Sequence, residues 1–142
     1  MKGEITLNPH FFKLAREESF KATYGGTARI GCIIVYRGGI IARGSNSNKT
    51  HTFQDISNLA RYKNVGNRYL PSLAHAEITA LAKIRYLDID FSTVSVYVYR
   101  ELRNGSLAMS RPCPACIKAI REMGIQNIYY TTPEGYCHER LI

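Results

Sequence analysis

Two short stretches constrain this chain more than any other: His75-Ala76-Glu77 and Pro112-Cys113-Pro114-Ala115-Cys116. Together they offer one imidazole and two thiolates, with a carboxylate two residues from the imidazole. Three nitrogen and sulfur donors are one short of the tetrahedral four that zinc takes, so the fourth position can hold water. A zinc-bound water beside a carboxylate is hydrolytic machinery: the metal brings the water's pKa towards ~7 and the carboxylate moves protons. The H-x-E triplet alone arises easily by chance. P-C-x-x-C is much rarer, and the two in this order, with 35 residues between Glu77 and Cys113, form a specific pattern. Two other readings stay open. His75 can be a core histidine and the cysteines a redox pair, or the metal can be purely structural, with Glu77 a bystander or a fourth ligand.

The residues around the two stretches predict how they are held. Asn8 and Pro9 read as the N-cap and first residue of a helix over 9–23, with Phe11, Phe12, Leu14, Ala15 and Phe20 on its apolar side and Tyr24-Gly25-Gly26 ending it. Residues 29–37 form a strand too continuously apolar to have one wet face. Gly38-Gly39 is a hairpin turn signal, and residues 40–43 return as a second strand. The long polar stretch that follows is suited to a binding rim, with a short helix near 54–63.

Ser72 is a natural N-cap for a largely buried helix over 73–86, with Leu73, Ala76, Ala80, Ile84 and Leu87 on one side. His75 then falls at the third helical position and Glu77 at the fifth, about 200° apart around the axis. They converge only over the open N-terminal tip, where side chains tilt back. Residues 92–100, with Val94, Val96 and Val98 alternating, form a strand apolar enough for a central place, and residues 103–106 a loop. Pro114 suits the first position of a further helix, with Cys113 as its N-cap, Cys116 as its third residue, Ile117, Ile120 and Met123 inward, and Gly124 ending it. There the dipole and unpaired N–H groups favour thiolate. Residues 127–131 are the next strand, Pro133-Glu134-Gly135 a turn, and 136–142 a last strand.

The 142 residues suit one domain, 1–142, with a single core. The beginning of the chain lacks the apolar run of a signal peptide, and no stretch approaches the ~18 apolar residues of a membrane span. Four cysteines with one C-x-x-C favour metal in a reducing compartment over a disulfide framework, which leaves Cys32 and Cys137 as free thiols, Cys32 in the core. The expectation is a cytoplasmic protein without membrane contact. The net charge of +8 is concentrated in the first half. Within 43–70, Arg43, Lys49, Arg61, Lys63 and Arg68 face only Asp55. This is either an ordinary basic surface or a segment beside the site that attracts phosphate. Tyr62 and Tyr69 among those charges are either core or surface tyrosines or base-stacking groups.

The two motifs and the helix–strand–strand–helix–strand–helix–strand–strand order resemble the cytidine deaminase superfamily over roughly residues 8–142. The resemblance implies a three-layer α/β/α fold with a mixed five-stranded sheet. It implies that His75, Cys113 and Cys116 bind Zn2+ and that Glu77 shuttles protons. The backbone N–H of Ala76 would face the base, and the carbonyl of Arg111 would accept from the leaving amino group. Asn46, in a Gly-x-Asn at the end of the second strand, matches an asparagine that many members use on the ribose, although it can equally be a turn-forming residue. Residues 75–81 are similar to the H-A-E-x-x-A-[LI] of tRNA adenosine and deoxycytidylate deaminases. Those families continue through another helix to a parallel last strand. Only 26 residues follow Cys116 here, too few for that helix and strand plus a crossover of roughly ten or more residues. The Pro-Glu-Gly turn suggests instead an antiparallel final hairpin, as in the free-nucleoside cytidine deaminases and several deaminase toxins; the nucleoside enzymes' usual basic residue and glutamine after the second cysteine are replaced by Ile117-Lys118.

The resulting expectation is a zinc-dependent hydrolase that replaces an exocyclic amino group by a carbonyl, through attack of zinc-bound hydroxide, on a cytosine-type base. The substrate is a nucleoside, a nucleotide or single-stranded nucleic acid, and a homo-oligomer is compatible with the sequence. The alternatives are an adenine- or guanine-type deaminase and a non-catalytic, zinc-stabilised nucleic-acid binder.

Overall fold

A computed structural model describes residues 8–22, 28–46 and 75–141. Helix α1 (Pro9–Ser19) leads into strands β1 (Ala28–Tyr36) and β2 (Gly39–Ser45), followed by α2 (Ala76–Ala82), β3 (Val94–Leu102), α3 (Pro114–Glu122), β4 (Asn127–Thr132) and β5 (Gly135–Arg140). The strands form one sheet in the order β2-β1-β3-β4-β5. All neighbours are antiparallel except β3 and β4, which run parallel. Helix α1 covers one face and α2 with α3 the other, so the architecture is the expected three-layer, mixed five-stranded fold. Strand β3 is central, and β5 closes the expected antiparallel hairpin on β4.

Covering both faces explains the apolar run in β1. Cys32 and Ile34 enter the core beneath α2 and α3, while Ile33 and Val35 enter the core beneath α1. Aromatic rings fill the second core: Tyr97 stacks on Tyr129 at 4.3 Å between centroids, and Phe12 stacks on Tyr136 at 4.0 Å. Two glycines let the helices approach. A Cβ on Gly31 would lie 2.5 Å from Ser19 N of α1; one on Gly44 would fall on the carbonyl oxygen of Ala76 and 2.7 Å from Ala80 N of α2.

Several boundaries differ from expectation. The first hairpin turns on Arg37-Gly38, one residue earlier than Gly38-Gly39, because both residues adopt the positive φ of a two-residue turn (52° and 79°). Helix α1 ends at Ser19 instead of 23: the N–H groups of Phe20, Lys21 and Ala22 each bond three residues back, and the chain tightens out of the helix. Phe20 is 46% exposed, not part of the apolar face, and lies beneath the guanidinium groups of Arg16 and Arg29. Leu87, expected on the buried side of the second helix, is 45% exposed because α2 ends at Ala82. Strand β2 runs on to Ser45, and β3 begins after a short 3₁₀ turn, Phe91–Thr93, and reaches Leu102. Helix α3 ends as expected on Gly124, whose φ of +96° accompanies paired bonds from Gly124 N to Arg121 O and from Ile125 N to Ile120 O. No helix among the described residues is long and apolar enough to cross a membrane. The expected helix at 54–63, the N-cap at Ser72 and the ending at Tyr24-Gly25-Gly26 lie outside the described residues.

Candidate metal centre

The parallel strands β3 and β4 make the site by separating. Their pairing runs from Ser95↔Asn127 to Val98↔Tyr130 and then stops. Beyond it, the chain turns through residues 103–106 and returns along the end of β3, with Ala108 N donating to Arg100 O. Ser110 then fills the gap. Its N–H donates to Thr131 O, its hydroxyl donates to Val98 O at 2.8 Å, and it accepts from Thr131 N at 2.7 Å. Thr131 Oγ1 completes the splice by donating to Ala108 O and accepting from Arg100 N. This buried set carries Arg111-Pro112-Cys113 across the carboxyl ends of two sheet strands, a location where open sheets place ligands.

Both motif stretches enter helices there. Cys113 caps α3 with extended backbone, Pro114 is its first residue and Cys116 its third, as the sequence indicates. The second helix is different. His75 is the N-cap of α2, with φ −79° and ψ 155°, so Glu77 is the second helical residue and not the fifth. The extended backbone at His75 turns its imidazole independently of the helical spiral, and the expected 200° separation does not arise.

His75 Nδ1 lies 3.3 Å from Cys116 Sγ and 3.6 Å from Cys113 Sγ. The donor atoms of the three residues all lie within 4.8 Å of one another. Tetrahedral zinc with bonds of ~2.05 Å to nitrogen and ~2.3 Å to sulfur separates those donors by about 3.6 Å. The observed spacing therefore fits zinc held by His75, Cys113 and Cys116. The thiol chemistry points the same way. The hydrogen bond from Cys116 draws the Cys113 thiol down to about 4, and the same bond, with burial, pushes Cys116 well up. The pair keeps one proton that a divalent cation displaces, giving two thiolate ligands. The bond to Cys113 also raises His75, against the opposing effect of burial.

Glu77 is 6% exposed, and burial raises its carboxyl above the ordinary range, partly offset by His75. His75, Glu77 and Cys113 line one wall of a cavity of ≈ 220 Å³, with Ile30, Asn46, Arg100, Met109, Ser110 and Arg111 around the rest. Asn46 is buried; its Oδ1 accepts from Ile30 N at 3.1 Å and its N–H donates to Ile30 O, which extends the β1–β2 pairing past Ser45. Arg111 sits at the rim, its guanidinium forked onto Glu139 of β5 at 2.7 and 2.8 Å. Ala76 is the first residue of α2, so its N–H belongs to the four that a helix leaves without an internal acceptor. A larger groove of ≈ 670 Å³ follows the outer side of α3. It is lined by none of His75, Cys113 and Cys116, and its Arg111 and Lys118 already face Glu139 and Glu122.

Arg100, Ser110 and Met109 were not singled out from sequence. The signal for Arg100 was the alternation of β3, which puts it on the side of Val94, Val96 and Val98; no local pattern marked Met109 or Ser110. Arg43 of the basic segment points to the opposite face, 4.0 Å from Glu18. Lys49, Arg61, Lys63, Arg68, Tyr62 and Tyr69 lie outside the described residues. Cys32 is buried and Cys137 half-buried, both free thiols as expected.

Comparison with known proteins bears on the same arrangement. A family model described as the cytidine and deoxycytidylate deaminase zinc-binding region matches residues 6–132. No curated protein matches the sequence. Among solved structures, the fold is similar to cytidine deaminase from Burkholderia pseudomallei (16% identity, 95% of this chain and 93% of that one, TM-score 0.61). It is also similar to dCMP deaminase from cyanophage S-TIM5 (22% identity, 89% and 86%, TM-score 0.58). Guanine deaminase from Bacillus subtilis shares it too (24% identity, 89% and 65%, TM-score 0.54). With the family model spanning both motif stretches and the donors clustered at zinc spacing, the chain belongs to the cytidine and deoxycytidylate deaminase zinc-binding family.

Proposed function

We propose that residues 1–142 act as one zinc-dependent deaminase domain that hydrolyses the exocyclic amino group of a cytosine-type base and releases ammonia. The observation that carries this reading is a buried carboxyl, Glu77, in the same cavity as a three-donor zinc site. Zinc held by His75, Cys113 and Cys116 would supply an acidified water. The rest falls to the chain. Glu77 takes one proton of the attacking water and delivers it to ring N3 as the C4–O bond forms, then carries the remaining hydroxyl proton to the amino group as the C4–N bond breaks and ammonia leaves. Burial suits this shuttle because it brings the carboxyl's affinity for a proton closer to that of its exchange partners. The Ala76 N–H donates to the base, and the Arg111 carbonyl accepts from the amino group. Asn46, with Oδ1 committed to Ile30, serves the sugar through its amide N–H groups. The antiparallel β5 favours a cytosine-type substrate over the adenosine type suggested by residues 75–81 alone.

The test is ammonia release across bases, nucleosides, nucleotides and oligonucleotides, with Glu77→Gln beside the wild type. General acid–base catalysis of this kind contributes about 10²–10⁴-fold. The variant is expected to keep one zinc per chain and lose activity by that factor. Zinc-loaded wild type that releases no ammonia from any substrate contradicts the reading, and purine-only activity replaces it with the adenine- or guanine-type alternative.

A further inference from the structure

Among the described residues, two arginines line the cavity, and the structure uses them differently. Arg111 is committed to Glu139 through two short bonds. Arg100 leaves β3 beside Ile30 on the side of the metal donors. Its Nη1 makes one long contact, 3.4 Å, with Met109 O. Its Nε is buried and has no hydrogen-bond partner among the described residues, and none of their carboxylates lies within 4.0 Å of its guanidinium. A half-buried guanidinium with an unspent donor calls for an acceptor, and a fixed fork of donors matches two oxygens of one anion best. Glu77 does not fill that role: it lines the same cavity without pairing with Arg100. The neutral base edge is already served by Glu77, Ala76 and Arg111 in the mechanism above. The uncompensated charge therefore belongs to a part of the substrate that the base does not supply.

Resting on the deaminase reading, we propose that Arg100 binds a phosphate of the substrate and selects phosphorylated cytosine compounds over free nucleosides. The phosphate is the monoester of a nucleotide or a diester in a strand. Arg100 is a binding residue and takes no part in proton transfer.

The experiment compares deoxycytidine, dCMP and a short dC-containing oligonucleotide as substrates of zinc-loaded wild type, Arg100→Gln and Arg100→Lys. Binding of dUMP and deoxyuridine is measured in parallel by calorimetry. A charge-assisted fork is worth about 10- to 100-fold. Arg100→Gln is expected to lower kcat/KM on whichever phosphorylated substrate is preferred by that factor, with deoxycytidine changed by less than about threefold. Arg100→Lys, which keeps charge without the fork, falls between. A loss at dCMP identifies the monoester, a loss confined to the oligonucleotide the diester. Equal losses on all substrates, or none, overturn the proposal. If no cytosine compound is deaminated but dUMP binds tightly and Arg100→Gln abolishes the advantage over deoxyuridine, Arg100's role stands and the cytosine reading fails. Zinc content and thermal unfolding check the variants, whose backbone bonds to Thr131 and Ala108 do not involve the side chain.

Discussion

Glu77 and Glu139 sit in opposite surroundings. Glu77 is buried beside the metal donors and holds its proton more tightly than usual, from burial. Glu139 is a third exposed and accepts from Arg111 and Tyr130, and the Arg111 bond pulls its carboxyl below the ordinary range. A depressed carboxyl contributes stability that is complete above the unfolded value of ~4.3 and is lost as pH falls through the lower folded value. Arg111 is 44% exposed, so solvent screens the pair and its contribution is about 1 kcal/mol or less. Urea unfolding of wild type and Glu139→Gln should differ by that amount at pH 7 and converge towards pH 3; a constant difference across that range contradicts the assignment. The ligand residues were legible as residues because few side chains bind zinc. The Ser110–Thr131 splice and the buried, unpartnered Arg100 donor were not, since each depends on segments distant in sequence.

The two helices that present the donors differ in how far their starts could be read. Pro114 pins the first turn of α3, because a residue without an N–H and with φ near −65° is pre-set for that position. Helix α2 has no such pin, and Ser72 offered a cap three residues before the observed one at His75. Packing decides it. The start of α2 lies against Gly44 of β2, where the absent side chain admits Ala76 and Ala80 backbone. Gly44→Ala should therefore push the helix tip off the sheet, costing about 1–3 kcal/mol of stability, and weaken zinc retention in a competition with chelator. Gly39→Ala is the control: its Cβ would meet nothing closer than Tyr36 O at 3.8 Å. Equal behaviour of the two variants would contradict this account of how the site is positioned.

For the molecule as a whole, the metal joins segments that the sequence separates. His75 stands 41 residues from Cys116, with the 3₁₀ turn, β3 and the returning segment between them. A ligand that binds only the folded arrangement stabilises it by mass action, about 4 kcal/mol at 1,000 times Kd. Removing zinc with chelator should lower the melting temperature by roughly 10 °C, reversed by zinc and not by magnesium. An unchanged melting curve would mean that the donors are preorganised without metal and the clamp contributes nothing.

Local chemistry was enough, from sequence alone, to pick out the three clustered donors, the third helix with its caps, and the final hairpin. Thiolates and imidazole have few alternative uses at that spacing, and proline and glycine act on their own backbone. Only the tertiary structure decided where α2 begins, how the parallel strands part to make a cavity, and which of the two described arginines lining it keeps an unspent donor. These outcomes depend on close backbone approach and on hydrogen bonds between distant segments, and no local pattern encodes either.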